Sequence, residues 1–440
     1  MEVKTRKGTI QPYHIENLSP LKAGEIQEPG LGLVIDLGTS TIGLYLLDFE
    51  TGSLLQENFF PNPGAKYGAD VLNRVRAVIE EPSNLQRISG ELLQVINLKI
   101  KQLLLKQGSH SEKILGVTVI GNPIMIHLFY GFDPTPLSRS PFRLVFKGDQ
   151  TKRAGDLGLL VNPFALVSTP PLVSAFIGSD ILCAVLSALE MNVGTPFLLL
   201  DLGTNAEIAL VMKERVFAAS AAAGPAFEEF EFTLEEALGD GFLRNMKFSD
   251  EEGLKIVAEG HPRGILASAK IDALAILREH EALNQMGLLA PSSSTPKEIA
   301  NRIFKDEKGR GYFQVLPGLC ISQEDIRHLQ LAKAAIITAT KFLMEASGVK
   351  ASQIQAILLA GTFGSMVLPQ SAERIGLIPR GLSSKTVPSG NMAGRGGILF
   401  LLSAEMRKIA LDIKEKVQVI KLTKNPRFQE VFLNSLEFPP

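Results

Sequence analysis

The sequence predicts an α/β protein built as two related lobes, and a repeated motif carries that prediction. The tetrapeptide Asp-Leu-Gly-Thr occurs at residues 36–39 and again at 201–204, each time directly after a short apolar run. A second apolar run follows each copy, which is the pattern of a β-hairpin. The copies lie about 165 residues apart, so they indicate a duplicated domain and not a short solenoid repeat.

The first lobe is predicted over residues 29–192, after an extended lead-in at 1–28 that contains Pro12 and Pro20. It should begin with three strands joined by turns. A long helix capped by Ser83, a further strand with a short helix behind it, and a mixed segment should follow. The last element should be a helix. The predicted strands are 31–35, 42–47, 53–58 and 117–120, the short helix is 124–130, the mixed segment is 142–171 and the last helix is 179–191.

The second lobe is predicted over residues 193–440 and should repeat the opening unit with strands at 197–200, 208–212 and 216–219. An acidic stretch at 230–259 indicates an exposed insertion. A long helix is expected at 325–347, and a nearly continuous apolar strand at 354–359 ends at Ala360-Gly361. A glycine-rich stretch at 390–397 should open a helix of roughly 15 residues.

Composition excludes several classes of protein. The 440 residues are 45% hydrophobic and 21% charged, as in ordinary globular proteins. A formal net charge of −1 supplies no basic field for nucleic acid. The two cysteines are too few for a disulfide framework or an iron–sulfur cluster within one chain. A polar N-terminus and no apolar run of roughly 18 residues indicate a cytoplasmic protein without a membrane segment.

Each Asp-Leu-Gly-Thr copy combines the groups that a phosphate site needs. A carboxylate ends the strand, a glycine lets the backbone approach closely, and hydroxyl or amide side chains follow. The residues expected to hold phosphate are Gly38, Thr39, Ser40, Thr41, Gly203, Thr204 and Asn205. Asp36 and Asp201 are expected to hold Mg²⁺ through water, since Mg²⁺ keeps much of its hydration. One copy alone is more simply a polar hairpin turn, but two copies favour the phosphate interpretation.

Residues 36–41, 201–205 and 359–364 resemble the two phosphate motifs and the adenosine loop of the actin/Hsp70/sugar-kinase superfamily. The resemblance implies two RNase-H-like lobes with ATP and Mg²⁺ in the cleft. It implies catalytic roles for Asp36, Asp201 and Glu207, where Glu207 would orient the attacking water or the metal shell; as an alternative, Glu207 is only an exposed strand residue. Further nucleotide contacts are expected from Gly224, Gly361, Thr362, Phe363 and Gly364.

A narrower resemblance covers most of the chain from Gly32 onward. Strings such as Gly-Ser-Asp at 178–180 and Asp-Leu-Gly-Thr-Asn-Ala-Glu-Ile at 201–208 are similar to the ATPase region of the reductive activators of corrinoid-dependent enzymes. The other matching strings are 62–63, 67–70, 121–122, 127–128, 133–134, 222–228, 325–327, 330–335, 376–379 and 390–391. The resemblance implies that ATP hydrolysis drives reduction of a Co(II) corrinoid to Co(I) on a partner methyl-transfer protein.

The sequence departs from that family in two ways. Family members usually carry an N-terminal ferredoxin-like domain, and only about 30 residues precede the first hairpin here. An external electron donor such as a ferredoxin is therefore expected, and no iron–sulfur cluster. One alternative is a cluster shared across a homodimer, which the cysteine positions disfavour. Side chains also stand at 229–232, a stretch that is usually glycine-rich, and replace glycines at 267, 269 and 362. Two alternatives stay open: a small-molecule kinase of the same fold, and a non-hydrolysing regulator that binds a corrinoid protein, which the lost glycines favour over the kinase.

Three further residues receive structural interpretations. His127 lies in an apolar helical stretch and is expected to be a core histidine. Cys183 is expected to be buried, because its helix is apolar. Cys320 precedes a helix start and is expected to be partly exposed.

Overall fold

The structure is a computed structural model that describes residues 30–148, 150–203, 205–227, 241–249, 251, 253–258 and 262–440. The predicted lead-in at 1–28, Thr204 and the substituted segment at 229–232 lie outside these residues. Of Thr362 only the backbone is described.

The first lobe contains a six-stranded sheet with the order β3-β2-β1-β4-β6-β5. Strands β1 to β3 form an antiparallel meander, and β4 pairs parallel to β1. Its strands are β1 Leu31–Leu37, β2 Thr41–Asp48, β3 Leu54–Pro61, β4 Ile114–Gly121, β5 Thr151–Arg153 and β6 Leu166–Ser168. Because β1 is buried on both faces, it consists of apolar residues until Asp36.

The second lobe repeats this arrangement in a six-stranded sheet with the order β17-β16-β7-β8-β9-β18. Strands β7 to β9 again form an antiparallel meander, and β16 pairs parallel to β7, as β4 does to β1. The strands of this sheet are β7 Phe197–Asp201, β8 Asn205–Val211, β9 Val216–Ala222, β16 Ala356–Ala360, β17 Thr386–Gly390 and β18 Val417–Val419. The duplication predicted from the two motifs is therefore present in the backbone.

Two small sheets accompany the second lobe. One contains β10 Phe242–Ser249, β11 Gly253–Ala258 and β12 Gly264–Ile265, and the other contains β13 Ile303–Lys305, β14 Gly311–Leu316 and β15 Leu319–Ser322. For the described part of 230–259 the expected exposed insertion is wrong, because Phe242, Leu243 and Met246 are buried in the core. These apolar residues do not alternate regularly along β10, and the acidic residues around the strand dominated the sequence interpretation.

Helices cover the faces of the sheets. In the first lobe they are α1 Val71–Glu80, α2 Asn84–Gln107, α3 Pro123–Phe129, α4 Thr135–Ser138, α5 Ala154–Leu157 and α6 Ser179–Glu190. In the second lobe they are α7 Ala267–Glu279, α8 Lys297–Ala300, α9 Gln323–Ser347, α10 Gly361–Gly364, α11 Pro369–Ile375, α12 Met392–Leu402, α13 Ala404–Lys416 and α14 Phe428–Asn434.

Helices α6 and α12 pack against each other between the two large sheets. Helix α6 shares a core with Phe197 and Leu199 of the second lobe, whereas α12 contacts β1 and β4 of the first. Their close approach depends on Gly396, where a Cβ atom would lie 1.8 Å from the carbonyl oxygen of Cys183. These two helices therefore connect the first lobe with the second.

Two helix predictions need correction. Ser83 occupies the N-cap position of α2 but makes no capping bond, because its hydroxyl donates to the Glu81 carboxylate instead. The helix predicted after residue 390 is shorter than expected, since the chain leaves the helix at Ser403, which caps α13.

The histidine and cysteine interpretations agree with the structure. His127 is buried, with Nδ1 2.6 Å from the Pro123 carbonyl and Nε2 accepting from the Val145 and Phe146 amides. Cys183 is buried, and Cys320 is partly exposed. In the part of the chain that the structure describes, no helix combines the length and apolar character needed to cross a membrane.

Candidate functional site

The ends of the central strands of both sheets meet at one cleft. Strand β7 ends at Asp201 and β1 ends one residue after Asp36, so both aspartates of the repeated motif lie at strand ends. The cleft between them holds a cavity of about 240 Å³. Its lining comes from both lobes, as the duplicated topology requires. Ligands of α/β sheets bind at such carboxyl ends of strands, so this is the candidate site.

The first hairpin turn is held by side chains that bind its backbone. Asn62 donates to the Gly38 carbonyl at 2.7 Å, and the buried Arg74 guanidinium donates to the Thr39 carbonyl at 2.6 Å. Asn122 donates to the Thr39 hydroxyl at 3.3 Å. A Cβ atom at Gly38 would lie 2.4 Å from the Thr41 carbonyl oxygen, so the turn requires glycine. Side chains therefore hold the carbonyls of the turn, and its residues line the cavity, where backbone N–H groups could bind phosphate.

The second hairpin turn packs against the loop that follows β16. The Leu202 amide donates to the Ala360 carbonyl at 3.2 Å. Gly361 has a φ of +84°, and its Cβ position lies 2.8 Å from both the Asp201 carboxylate and the Leu202 carbonyl oxygen. A side chain there would be strained and would displace Asp201. The loop with Gly361 therefore sets the position of the second carboxylate.

Four carboxylates line the cavity: Asp36 at the end of β1, Asp180 in the first turn of α6, Asp201 at the end of β7 and Glu207 on β8. Each is partly exposed to the cleft. Burial raises the pKa of Asp36 to about 6, and a hydrogen bond from Asn391 opposes that rise. Burial and the charges of neighbouring carboxylates raise the pKa of Asp180 to about 6 and that of Asp201 to about 7. They also raise the pKa of Glu207 well above its ordinary value. A cleft with this much unbalanced negative charge favours a bound cation.

The carboxylates fit a hydrated Mg²⁺ ion better than a metal held directly by protein. Among the described residues, no three acidic, histidine or cysteine side chains lie close enough together to bind one ion. Mg²⁺ retains several waters and takes only one or two carboxylates together with substrate phosphates. Asp36 and Asp201, on opposite walls of the cavity, have the chemistry for such a site.

The other end of the cavity is apolar. It is lined by Leu266, Met366, Phe227 and Phe363, and the two phenylalanine rings lie 5.8 Å apart. Ala267 and Ala269, the residues near the start of α7 that replace glycines, are buried and are not among the described residues that line the cavity. Ser268 between them is also buried and donates to the Arg244 carbonyl at 2.6 Å. This end therefore offers the flat, apolar surface that an aromatic base needs.

The cavity gathers most of the predicted site residues. It is lined by Asp36, Gly38, Thr39, Ser40, Thr41, Asp201, Gly203, Asn205, Glu207, Gly361 and Phe363. Gly224 and Gly364 are not among the described lining residues, and Thr204 and the Thr362 side chain are not described. The roles of all these residues stay predictions.

Sequence reasoning did not assign Asp180 or Asn391 to the site. Asp180 was noticed only as part of Gly-Ser-Asp, and its position in the first turn of an apolar helix was an available signal. Asn391 precedes α12 and donates to Asp36 at 2.6 Å across 355 residues of sequence. No local pattern predicts a contact between residues so far apart.

Comparison with known proteins supports the same architecture. The family model for the C-terminal domain of RACo, described as the ASKHA domain, matches residues 195–440, and the model for the RACo middle region matches residues 31–193. The two-lobed α/β fold of the actin/Hsp70/sugar-kinase class predicted from the sequence is thereby confirmed.

Two curated relatives and one solved structure align with nearly the whole chain. The chain is 31% identical to the corrinoid activation enzyme RamQ of Eubacterium limosum, over 95% of the chain and 72% of that protein. It is 26% identical to the [Co(II) methylated amine-specific corrinoid protein] reductase of Methanosarcina barkeri, over 82% of the chain and 68% of that protein. A solved reductive activator for a corrinoid, iron-sulfur protein superposes with a TM-score of 0.83 at 27% identity, covering 94% of this chain and 67% of that one.

Proposed function

Because the chain belongs to the RACo family, we propose that it is an ATP-dependent reductive activator of a corrinoid protein that receives its electron from an external donor. The observation that carries the proposal is the cleft itself. Two phosphate-type hairpin turns and four carboxylates from both lobes converge on one cavity. The names of the relatives supply the corrinoid protein as the partner.

The hairpin turns would bind the phosphates of ATP. Backbone N–H groups near Gly38 and Gly203 would donate to phosphate oxygens, with help from the side chains of Ser40 and Asn205. Asp36 and Asp201 would hold the hydrated Mg²⁺. The ion, when bound, neutralises charge on the transferred phosphoryl group.

Glu207 is the best candidate for the base that activates the attacking water. It lines the cavity, and the Ser220 hydroxyl donates to its Oε1 at 3.3 Å, which fixes the carboxylate. Burial and neighbouring carboxylates raise the pKa of Glu207 well above its ordinary value, which makes this carboxylate a stronger proton acceptor than an exposed glutamate. The proton of the water would pass to this carboxylate as the bond to phosphorus forms.

Hydrolysis would change the closure of the lobes and so bias the partner. Reduction of Co(II) to Co(I) consumes one electron, and the 440 residues contain only two cysteines, on α6 and β15. We therefore assign the electron to an external donor such as a ferredoxin. ATP supplies free energy for the conformational step and is converted to ADP and phosphate.

The decisive experiment mixes the protein, Mg-ATP, a mild reductant and the corrinoid protein encoded nearest to it, and follows the absorbance of Co(I). An ATP-dependent rise that is lost in Asp201→Ala supports the proposal. A spectral shift that needs no ATP would instead support a non-hydrolysing regulator. Phosphorylation of a small acid or sugar without any response of the corrinoid protein would make the kinase the better reading.

A further inference from the structure

Asn391 makes three hydrogen bonds at the junction between the lobes. Its Oδ1 accepts from the Gly394 amide at 2.7 Å and so caps α12. Its Nδ2 donates to Asp36 Oδ2 at 2.6 Å and to the Tyr45 hydroxyl at 2.9 Å. The carboxylate and the amide N–H fix the orientation of the side chain, since the reverse orientation would place oxygen against oxygen.

The helix that follows Asn391 packs closely against both the first sheet and α6. A Cβ atom at Gly394 would lie 2.6 Å from the Tyr45 hydroxyl oxygen, and one at Gly397 would lie 2.9 Å from Val34 Cγ1 on β1. At the preceding residue, Gly396, a Cβ atom would lie 1.8 Å from the Cys183 carbonyl oxygen of α6. The first turns of α12 are therefore fixed on both the first sheet and α6.

Helix α6 begins at the same cleft. The Ser179 hydroxyl accepts from the Gly121 amide at 3.0 Å and donates to the Gly121 carbonyl at 3.1 Å, which anchors the helix start to the end of β4. The next residue, Asp180, lines the cavity. Both helices between the lobes therefore start beside a carboxylate of the cleft. Helix α6 contributes Asp180 from its first turn, and Asn391, which precedes α12, contacts Asp36.

We propose that Asn391 is a positioning residue: its amide holds the Asp36 carboxylate in place in the cleft and ties that carboxylate to the first turn of α12, the helix between the lobes. The identity of the ligand rests on the proposed function. The contact itself does not, because it is made by the protein alone.

The first test uses the ligand-free protein and measures hydrogen exchange of the Gly394 amide. This amide is in the first turn of α12, where no backbone carbonyl of the helix can accept it, so its protection reports the Asn391 cap. Asp36→Ala should speed its exchange by roughly three- to tenfold, because the loss of one hydrogen bond frees the amide side chain. Asp201→Ala, the equivalent change on the second hairpin, should leave it unchanged. Equal exchange in Asp36→Ala and wild type would overturn the proposal.

The second test measures the Kd of Mg-ATP by calorimetry. Asn391→Ser keeps a capping oxygen for Gly394 but cannot reach Asp36, so its Kd should be about tenfold weaker. Tyr45→Phe removes the other acceptor of the same amide and should bind Mg-ATP nearly as the wild type does. Ser403→Ala removes the cap of α13 and should lower thermal stability without changing the Kd.

The two tests separate this proposal from the proposed function. If the wild type binds no Mg-ATP, the nucleotide function fails, and hydrogen exchange alone decides the role of Asn391. If Asn391→Ser binds Mg-ATP as tightly as the wild type, or if Tyr45→Phe weakens binding equally, Asn391 serves only to start the helix and the proposal is overturned.

Discussion

At the scale of single residues, the cleft keeps four carboxyl groups together without a fixed cation of the protein. No lysine or arginine is among the residues that line the described cavity. Burial is the largest cause of the raised pKa of Asp201, and the charges of Asp180 and Asp36 add to it. Bringing these carboxylates together therefore destabilises the folded protein at neutral pH, and a bound cation would offset that destabilisation.

The first prediction concerns the pH dependence of stability. The pKa of Asp201 is about 7 in the folded protein and lower in an unfolded chain, so its contribution favours folding at low pH and weakens as pH rises to about 7. Asp201→Asn should therefore raise the melting temperature of the ligand-free protein at pH 8 more than at pH 5. For a chain of 440 residues, the expected gain is on the order of 1 °C for each kcal/mol of relieved repulsion. Calorimetry at both pH values measures it.

The control for this prediction is Asp48→Asn, which changes a carboxyl group on the first lobe outside the cavity. It should not raise the melting temperature at pH 8. An Asp201→Asn protein that is less stable than the wild type at pH 8 would show that Asp201 is stabilising as an ion, contrary to this account.

The sequence predicted Asp36, Asp201 and Glu207 because each belongs to a motif that occurs twice or directly follows one. Asp180 and Asn391 lie at the cleft because of contacts between elements that are far apart in the sequence. Asp180 depends on the anchoring of α6 to Gly121, and Asn391 depends on the contact between α12 and β1. Asp180 has one local signal, its position in the first turn of an apolar helix, whereas the contact of Asn391 with Asp36 has none.

At the scale of elements, the loop after β16 sets the second half of the site, and Gly361→Ala tests it. A side chain there would meet the Asp201 carboxylate and adopt a backbone conformation that costs roughly 1 to 2 kcal/mol for other residues. Mg-ATP binding should weaken at least about tenfold, measured by calorimetry. The matched control is Gly381→Ala, where φ is +79° but nothing lies within 4 Å of the Cβ position.

Gly361→Ala and Gly381→Ala impose the same kind of backbone strain, but only the new methyl group at residue 361 would meet the Asp201 carboxylate. Gly381→Ala should lower the melting temperature and leave the Kd of Mg-ATP as it is. Equal effects of both variants on the Kd would mean that strain alone, and not the position of Asp201, limits nucleotide binding.

The contact between α6 and α12 makes a second element-scale prediction. Gly396→Ala should lower the free energy of unfolding by about 3 kcal/mol or more, since the new methyl group has to force the two helices apart. Gly90→Ala is the control. It lies in α2 with nothing within 4 Å of its Cβ position, so the same change should stabilise by about 0.5 to 1 kcal/mol. Urea unfolding measures both, and a neutral Gly396→Ala would contradict the packing.

Helices and strands whose apolar residues recur at a regular spacing were predicted correctly from the sequence. The residues at which some of them end were not. The meanders and helices α2, α6 and α9 followed their apolar patterns. The end of α12 was missed because the apolar pattern continues past Ser403, where a capping hydroxyl starts a new helix. The strands β10 and β11 were missed because neither has a regular alternation of apolar and polar residues and the segment around them is acidic.

At the scale of the whole molecule, the two large sheets have the same topology. In each, the first strand of an antiparallel meander carries an aspartate near its carboxyl end and pairs with a parallel strand, and α6 and α12 pack between the sheets. Membership of the RACo family, predicted from the order of the motifs, is confirmed by family models that match residues 31–193 and 195–440. The duplication of the lobe was predictable from the sequence because both copies keep the Asp-Leu-Gly-Thr motif at the end of their first strand.

A ligand bound in the cleft contacts both lobes, so it should stabilise both together. At a Mg-ATP concentration of 100 times the Kd, the gain in folding free energy should be about 2.7 kcal/mol, because only the folded state binds. Hydrogen exchange should then slow in β2 of the first lobe and in β8 of the second, since each follows one of the hairpin turns in the cavity lining. Asp36→Ala should abolish the effect in both strands, although it changes only the first lobe. Slowing confined to one lobe would mean that the nucleotide binds to a single hairpin and that the cleft does not close around it.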